Sequence, residues 1–399
     1  MQFRGQPSNL QIQMQVPRPK YLKSIEEGLA NAPVTALLGP RQAGKTWLAR
    51  PFASRPENFF DLHSLLDRAR LEDSNYRVLD GLEGTVVIDE AQEKPDLFRK
   101  LRVLADRTET ATRFLVTGSA SPGIVKGVSE SLAGRVRLLA LGGFNADEVG
   151  WENWQKLWLR GGFPRSYLHE IEDVSLNWRL DYIEQFLRRD LPLLAETHLT
   201  DEQRRRLLQL IAHKHGQYWN HSEAGQIIGV SYKTIQRHIE ILKAAYILRE
   251  LPPFFTNIQK RLRKAPKVYL RDSGLLHALL LIQEHAKLSA HPSLGPSWEG
   301  FGIEQIIRLT NSREEECFTW SVQSGPEVDL VLTKRSGLFG FEFKAGDAPQ
   351  RTKSMVDAVD SLRLAKLFVI YPGKMKYSLD EKIEAVGIMN LTQVLPEVT

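Results

Sequence analysis

One segment of eight residues has the composition and spacing of a phosphate-binding loop. It fits the pattern G-x-x-x-x-G-K-[ST], and its members are Gly39, Pro40, Arg41, Gln42, Ala43, Gly44, Lys45 and Thr46. In such a loop the glycines let backbone N–H groups turn toward phosphate oxygens, the lysine reaches the β- and γ-phosphates, and the hydroxyl ligates Mg²⁺. The segment therefore predicts that the chain binds ATP or GTP, with Lys45 acting in catalysis and Thr46 holding the metal.

Two later segments add the carboxylates and hydroxyls that nucleotide hydrolysis needs. Asp89 ends an apolar run 44 positions after Lys45, and Glu90 follows it. We predict that Asp89 holds Mg²⁺ and that Glu90 polarises the attacking water, although Glu90 could also be a solvated carboxylate at the start of a helix. After a further apolar run, Thr117 or Ser119 is predicted to sense the γ-phosphate, and an ordinary turn is the alternative.

An arginine further along the chain could complete the site of another copy. Arg135 ends the segment Ser-Leu-Ala-Gly-Arg at 131–135. An arginine there could stabilise the charge that develops on a neighbouring subunit's nucleotide, and a plain surface position is the open alternative. Because such a finger needs a neighbour, this interpretation predicts a homo-oligomer.

These side chains must be held by strands that alternate with helices. Apolar runs predict strands at 34–38, 58–62, 85–90 and 114–119. Alternation of this kind predicts an α/β fold with a parallel sheet and helices on both faces. Ligands of such sheets bind at the carboxyl ends of the strands, where the predicted site residues lie.

The middle of the chain has the pattern of a helix-turn-helix. Helices are predicted at 201–216, 222–228 and 231–242, with Ser231 capping the third. One face of that third helix carries Lys233, Gln236 and Arg237, the layout of a helix that faces a DNA groove or phosphate backbone. A winged helix that serves as an ATPase lid or a protein-contact module is the alternative.

The next stretch, 257–271, is basic and contains no acidic residue. Its cations alternate with apolar residues, which suits a strand that presents charge to DNA phosphates. A solvated basic edge strand is the other interpretation. The candidate DNA contacts in this stretch are Lys260, Arg261, Arg263, Lys264 and Lys267.

The last part of the chain contains a third candidate site, on two predicted strands at 328–332 and 338–344. With side chains alternating between faces, a hairpin brings Asp329, Glu342 and Lys344 together, and Glu299 on an upstream helix could join them. Carboxylates suit Mg²⁺, and a lysine beside them can orient water. The set predicts a possible metal-dependent nuclease, and a surface ion pair between Glu342 and Lys344 is the alternative.

Together these segments resemble a bacterial and archaeal group of AAA+ ATPases that carries an AAA_14 domain and a C-terminal DUF4143 domain. The resemblance lies in Gly-Pro-Arg-Gln-x-Gly-Lys-Thr, Ile-Asp-Glu-Ala-Gln, Thr-Gly-Ser and Glu-Ser-Leu-Ala-Gly-Arg, and it extends through 160–164 and 182–192. Trp47 departs from the small residue usual after the loop threonine. The resemblance implies ATP and Mg²⁺ as cofactors and a hexamer as the assembly.

The order helix Glu, strand Asp, strand Glu-x-Lys is similar to the PD-(D/E)xK nuclease fold, which DUF4143 domains resemble. The predicted architecture is α/β, with a helical lid and a winged helix-turn-helix between the P-loop domain and a C-terminal α/β domain. We expect an AAA+ P-loop ATPase core at 1–145, a helical lid at 146–200, a winged helix-turn-helix at 201–272, and a DUF4143-like domain of the restriction-endonuclease type at 273–399.

Composition limits the class of protein. The 399 residues carry a net charge of +5, which permits a nucleic-acid partner without requiring one. The single cysteine, Cys317, allows neither an internal disulfide nor a cysteine-built zinc site. We see no secretory leader and no apolar run that could span a bilayer, so a cytoplasmic location without membrane contact is predicted.

Three functions are compatible with these observations. The preferred one is an ATP-hydrolysing AAA+ protein that acts on DNA, on branched or junction DNA in particular, as in recombination or repair. A second is a nucleotide-dependent signalling or defence switch of the STAND type, with a C-terminal domain that only binds. A third is a transcriptional regulator that contacts DNA through the helix at 231–242.

Overall fold

The computed structural model describes residues 16–72, 76–107, 112–119, 131–194, 199–255, 264–323 and 325–398. The predicted DNA contacts Lys260, Arg261 and Arg263 lie outside the described residues. Three sheets are present in the described ranges: one of five strands, one of three and one of six. None of the helices in those ranges is long and apolar enough to cross a membrane.

The first unit is a parallel sheet flanked by helices. Its elements are α1 (Pro19–Asn31), β1 (Val34–Gly39), α2 (Lys45–Ala49), β2 (Phe59–Asp61), α3 (Leu65–Arg70), β3 (Thr85–Asp89), α4 (Leu97–Ala105), β4 (Arg113–Ser119) and β5 (Val136–Ala140). The strand order is β2-β3-β4-β1-β5, and every neighbouring pair is parallel. The predicted parallel α/β sheet is confirmed, and β5 is a strand that the sequence did not predict.

The central strand β1 is buried along its whole length, between β4 and β5. It consists of small and aliphatic residues because helices cover both faces of the sheet. At its end, Gly39 lies against the backbone of Leu141, where an added Cβ would meet the carbonyl oxygen at 2.1 Å. Glycine is therefore required at the point where the chain leaves the sheet and begins the loop.

A helical unit follows the sheet. It contains α5 (Ala146–Val149), α6 (Trp154–Arg160), α7 (Pro164–Tyr167), α8 (Glu172–Gln185), a π-helical turn (Phe186–Asp190) and α9 (Leu191–Leu194). A π turn inside a helix is uncommon, and where one occurs it often lies at a functional site. This turn carries Asp190 back toward the edge of the first sheet.

The three helices predicted for the middle of the chain are present. This part contains α10 (Asp201–His213), β6 (Gln217–Tyr218), α11 (His221–Ile228), α12 (Tyr232–Ala244), β7 (Leu248–Leu251) and β8 (Lys267–Leu270). The strands form an antiparallel sheet in the order β6-β8-β7. Ser231 caps α12, as predicted, because its side chain accepts a hydrogen bond from the Thr234 N–H.

The last unit is built on a mixed sheet. Its elements are α13 (Ser273–Leu279), α14 (His285–Ser289), α15 (Leu294–Leu309), β9 (Cys317–Ser321), β10 (Glu327–Lys334), β11 (Gly337–Phe343), α16 (Lys353–Leu362), β12 (Lys366–Tyr371), β13 (Lys376–Asp380), β14 (Ile383–Gly387) and α17 (Leu391–Val394). The order is β13-β14-β12-β11-β10-β9. The predicted hairpin is β10 and β11, which pair antiparallel with Leu330 opposite Phe341.

The helical unit and the last unit share one apolar core. Trp158 of α6 lies 5.1 Å from Trp298 of α15, measured between ring centroids, and Trp154 lies 5.4 Å from the same ring. The core continues from there to Phe341 on β11. Because these side chains pack together, the last sheet has a fixed position relative to the helices that border the first sheet.

Candidate functional site

The loop after β1 has the backbone that phosphate binding requires. Gln42 and Gly44 have positive φ values of 62° and 94°, so the chain curls before α2 begins at Lys45. Lys45 is 4% exposed, and its Nζ donates hydrogen bonds to the carbonyl oxygens of Gly39 at 3.1 Å and Pro40 at 2.8 Å. The lysine thus lies folded over its own loop, and its contact with the β- and γ-phosphates stays a prediction.

The partners of Lys45 are neutral, and this affects its charge. Burial lowers the pKa of Lys45 to about 8, although the nearby carboxylates of Glu90 and Asp89 act to raise it. A buried ammonium is stable only when it is paired or hydrogen-bonded. A phosphate would satisfy this ammonium better than the two carbonyl oxygens do, so the geometry and the electrostatics both favour an anionic ligand here.

The predicted magnesium ligands meet beside this lysine. Asp89 is 2% exposed and accepts hydrogen bonds from the hydroxyl groups of Thr117 and Thr46. Burial raises the pKa of Asp89 although these hydroxyl groups act to lower it. A buried carboxylate beside a loop hydroxyl offers two hard oxygen donors, which fits the Mg²⁺ that accompanies a nucleotide.

The structure adds a residue that the sequence did not single out as functional. The side-chain amide of Gln92 donates a hydrogen bond to Glu90 Oε2, and the Ser119 N–H donates to Gln92 Oε1 at 3.2 Å. Gln92 thereby joins the carboxyl ends of β3 and β4. Its position in Ile-Asp-Glu-Ala-Gln was visible in the sequence, but its partner on β4 could not be known without the fold.

An ion pair connects the phosphate-binding loop to the helical unit. Arg41 Nε lies 3.3 Å from Asp190 Oδ1, and burial raises the pKa of Asp190 although Arg41 opposes this. The pair borders a cavity of about 270 Å³ between the two units. The cavity is lined by Pro40, Arg41, Gln92, Glu93, Ser119, Tyr182, Phe186, Asp190, Leu194 and Ala245.

Arg135 lies away from the other predicted catalytic residues of its own chain. Its carbonyl oxygen accepts a hydrogen bond from the Val34 N–H, at the amino end of β1, whereas the loop lies at the carboxyl end. Its guanidinium is ion-paired with Asp106. The role of Arg135 as a finger toward a neighbouring subunit stays a prediction.

The polar face of α12 is open to solvent, and Lys233, Gln236 and Arg237 on that face are exposed. Lys264 is exposed as well. The prediction that Lys267 contacts DNA is wrong. Lys267 is only 4% exposed, and its ammonium is paired with carboxylates of the last unit. In this position Lys267 cannot reach a phosphate.

Lys267 lies at the centre of the carboxylates that were predicted to bind metal. Its Nζ is 3.0 Å from Glu299 Oε1, 3.4 Å from Asp329 Oδ1 and 2.5 Å from Glu327 Oε1. The hydroxyl of Tyr269 also donates to Glu299. Although burial acts to lower the pKa of Lys267, Tyr269 and the carboxylates raise it well above the usual lysine value.

The other two predicted residues lie at the edge of this cluster. Lys344 Nζ is 3.0 Å from Glu342 Oε2, and the Phe343 N–H between them donates to Asp329 Oδ2 at 3.0 Å. The hairpin therefore brings Asp329, Glu342 and Lys344 together as predicted. Glu342 is 5% exposed, and burial raises its pKa although Lys344 opposes this.

This cluster does not fit a divalent cation in the observed conformation. The ammonium of Lys267 lies among these carboxylates and offsets only part of their charge. Burial and the neighbouring Asp329 raise the pKa of Glu299 to about 7, although Lys267 acts to lower it. Within the described part of the chain, no group of three or more His, Cys, Asp or Glu side chains has an arrangement that could hold a metal ion. The predicted metal ligands are thus close together but paired with an internal cation.

Three family models match the chain. A model described as an AAA domain, AAA_14, matches residues 31–150, and a domain of unknown function, DUF4143, matches residues 294–391. Between them, a further domain of unknown function, DUF8612, matches residues 152–286. The matched segments coincide broadly with the first sheet, the helices of the middle, and the last sheet.

Similar proteins occur in mycobacteria. The chain is 42% identical over 363 residues to the uncharacterized proteins Rv2008c of Mycobacterium tuberculosis and Mb2031c of Mycobacterium bovis, and the match covers 91% of this chain and 81% of each relative. Among solved structures, it is similar to the Walker-type ATPase PABY2304 of Pyrococcus abyssi, with 16% identity and a TM-score of 0.48 over 66% of this chain and 96% of that one.

Proposed function

Because the chain belongs to the family of AAA-type P-loop ATPases that carry an AAA_14 and a DUF4143 domain, we propose that it hydrolyses ATP in order to change how it holds DNA, branched DNA in particular. One observation carries the ATPase part of the proposal. Lys45, Asp89 and the hydroxyl of Thr117 meet at the carboxyl edge of one sheet, with Glu90 beside them. This is where a parallel α/β sheet places its ligand.

The residues divide the chemistry among themselves. Lys45 would exchange its two carbonyl partners for phosphate oxygens, and Glu90 would take the proton of the attacking water. Thr46 and Asp89 would hold Mg²⁺, which when bound neutralises charge on the phosphates. Burial of Lys45 and Asp89 strengthens each of these interactions, because the surroundings screen charge less than water does.

The DNA part of the proposal is supported by the exposed face of α12. Lys233, Gln236 and Arg237 project from one side of a capped helix that follows a turn at Gly229. Cations on such a face release counterions from the DNA backbone on binding, so the affinity would fall steeply with salt. A hexamer with Arg135 acting across subunits is the matching proposal for assembly.

The deciding experiment is the ATPase rate with single-stranded, duplex, forked and four-way DNA, with cleavage of the DNA scored in the same samples. We expect branched DNA to give the largest stimulation, and the double variant Lys233→Ala/Arg237→Ala to lose it. Lys23→Ala/Lys20→Ala, which removes two exposed lysines of α1, is the charge-matched control. ATPase activity that ignores every DNA form would rule out the DNA role and leave the ATPase assignment intact.

Assembly is tested separately, by the mass of the protein in solution with and without ATP. We expect ATP to favour the larger species. Arg135→Ala should leave the assembly in place and slow hydrolysis, because a finger acts on the neighbour's nucleotide. A monomer at all nucleotide concentrations would exclude a role for Arg135 in a neighbouring site.

A second candidate is a STAND-type switch, and the ion pair between Arg41 and Asp190 favours it. The pair joins the phosphate-binding loop to the π turn of the helical unit. A γ-phosphate would compete with Asp190 for Arg41, so nucleotide exchange could move that unit. Slow hydrolysis with tightly retained ADP, unaffected by DNA, would favour this candidate over the first.

Metal-dependent nuclease activity is the least supported part of the prediction, because Lys267 is paired with the carboxylates. Lys344→Ala provides the check. We expect it to spare ATP hydrolysis, since Lys344 lies in the last unit and contacts Glu342. Cleavage with Mg²⁺ or Mn²⁺ that persists in this variant comes from somewhere other than the carboxylate cluster.

A further inference from the structure

We propose that Gln92 is a positioning residue for ATP hydrolysis, holding the Glu90 carboxylate in register with the end of β4. The inference rests on the ATPase activity proposed above. Gln92 Nε2 donates to Glu90 Oε2, and Gln92 Oε1 accepts a hydrogen bond from the Ser119 N–H at 3.2 Å. One side chain thus ties the predicted water-polarising carboxylate to the predicted γ-phosphate sensor.

The backbone after β3 makes this contact possible. Glu90 has a φ of 57°, in the left-handed region that residues other than glycine seldom occupy, and Ala91–Glu93 form a 3₁₀ turn. In a continued strand, side chains two positions apart would be separated by roughly 7 Å. The reversal at Glu90 instead brings residue 92 back within hydrogen-bond distance. A conformation of this kind persists where surrounding contacts maintain it, and it often marks a functional site.

The chemistry of the two contacts requires an amide. One partner, the Glu90 carboxylate, only accepts hydrogen bonds, and the other, the Ser119 N–H, only donates. A glutamine side chain offers both a donor and an acceptor without adding charge. A glutamate at this position would still accept from the Ser119 N–H but would repel Glu90.

The surroundings place Gln92 on the side of the nucleotide site. It lines the cavity of about 270 Å³ together with Pro40 and Arg41 of the phosphate-binding loop and with Ser119. A change at Ser119 on binding of a γ-phosphate would therefore reach Glu90 through a single side chain. Gln92 itself acts through Glu90 and Ser119, so we assign it to positioning.

Gln92→Ala tests the inference by steady-state kinetics. We expect kcat to fall on the order of 10- to 100-fold, because a small misplacement of a reacting group slows catalysis by about this factor. The KM for ATP and the affinity for a fluorescent ATP analogue should change by less than about twofold, because Gln92 is not a phosphate ligand. The kcat of Gln92→Glu should fall at least as far, because a carboxylate has the size of the amide but no hydrogen-bond donor.

A double-mutant cycle separates positioning from a general structural role. If Gln92 acts through Glu90, Gln92→Ala should lower turnover no further in a Glu90→Gln background. A second measurement needs no activity: hydrogen exchange of the Ser119 amide in the nucleotide-free chain should be faster in Gln92→Ala. Lys94→Ala is the matched control, since Lys94 follows the same turn but donates to the Leu71 carbonyl at 3.1 Å, and it should leave both readouts unchanged.

The outcomes that overturn the inference differ from the one that removes the proposed function. Wild-type turnover in Gln92→Ala, or a loss that adds fully to that of Glu90→Gln, would show that Gln92 does not act through Glu90. Unchanged exchange of the Ser119 amide would show that it does not join the two strand ends. A wild-type chain that hydrolyses no ATP removes the proposed function and the positioning role with it, and the exchange measurement then shows only whether Gln92 joins the two strand ends.

Discussion

Two lysines of this chain are buried near carboxylates, and their electrostatic situations are opposite. Lys45 and Lys267 are both 4% exposed. Lys45 donates to two backbone carbonyl oxygens, and burial lowers its pKa to about 8. Lys267 pairs with three carboxylates, and its pKa is raised well above the usual value despite burial.

The difference distinguishes a lysine whose charge is available to a ligand from a lysine that is already paired with carboxylates of its own chain. The ammonium of Lys45 has neutral partners that a phosphate can replace, so its charge is available for binding. The ammonium of Lys267 is paired with carboxylates of the same chain, so its charge is not available to an anionic ligand. Similar composition therefore gives a nucleotide site at one place and an internal ion cluster at the other.

The largest expected effect is that of Lys45→Met on catalysis. Loss of the ammonium removes a charge aimed at the phosphates, so turnover should fall by about 10²- to 10³-fold or more. The stability of the nucleotide-free chain should stay within about 1 kcal/mol of wild type or rise, because a buried charge with neutral partners is removed. Phosphate release and the urea midpoint measure the two effects.

The same substitution at Lys267 should lower stability and spare catalysis, which is the reverse of the effect expected at Lys45. Lys267→Met leaves Glu299, Asp329 and Glu327 without their cation, which should lower the free energy of unfolding by about 3–5 kcal/mol. ATP turnover of the folded fraction should remain. We expect Mn²⁺ to raise the unfolding midpoint of the variant and to leave that of wild type unchanged, since in wild type the Lys267 ammonium lies among these carboxylates and repels a second cation.

The exposed lysine of the same segment gives the control for that experiment. Lys264→Met should unfold like wild type and show no response to Mn²⁺, because Lys264 is at the surface. Equal stabilisation of wild type and Lys267→Met by Mn²⁺ would contradict the comparison. It would mean that the carboxylates accept a metal while Lys267 is in place.

Glu90→Gln tests whether Glu90 acts in hydrolysis or in the binding of the nucleotide. The amide keeps the size of the side chain but cannot take a proton from water, so hydrolysis should fall by roughly 10²-fold while ATP stays bound. Single-turnover hydrolysis and the release rate of labelled ATP measure this trap. Loss of ATP binding together with hydrolysis would assign Glu90 to the binding of the nucleotide instead.

The smallest effect concerns a third buried base, His277, which is 0% exposed and is kept neutral. Burial lowers the pKa of His277 to about 3. The unfolded chain takes up the proton near pH 6.5 and the folded chain does not, so stability is lost as the pH falls from 6.5 toward 3.

The contribution of His277 should reach about 1.4 kcal/mol per pH unit. His277→Gln, compared with wild type in urea at pH 7, 6 and 5, should show a slope smaller by this amount below pH 6. Equal slopes for the two proteins would mean that His277 is protonated in the folded state.

Much of the nucleotide site was predictable because its residues are close along the chain or lie at the ends of apolar strands. The spacing of Gly39 to Thr46 specifies the curl of the loop, because the glycines and the lysine that shape it lie within eight consecutive residues. Asp89 ends β3 and Thr117 lies near the end of β4, and in a parallel sheet such ends meet at one edge. The sequence therefore predicted that these residues would converge before any contact was known.

The predicted hairpin of the last unit was right for a similar reason. Side chains alternate along a strand, so a hairpin could bring Asp329 and Glu342 onto one face, and the observed pairing of Leu330 with Phe341 does so. What the alternation could not show was the residue that lies opposite that face. Lys267 comes from β8, 62 positions before Asp329, and was expected at a DNA surface.

The sequence by itself determined which side chains could do chemistry and which strands hold them, because loop spacing and strand periodicity are local properties. The tertiary structure decided which charge each of them meets. Lys45 meets carbonyl groups, Lys267 meets carboxylates, and Gln92 joins Glu90 to Ser119. The carboxylate partners of Lys267 and the Ser119 partner of Gln92 come from distant parts of the chain. The charge state of a buried group depends on its neighbours in space rather than in sequence.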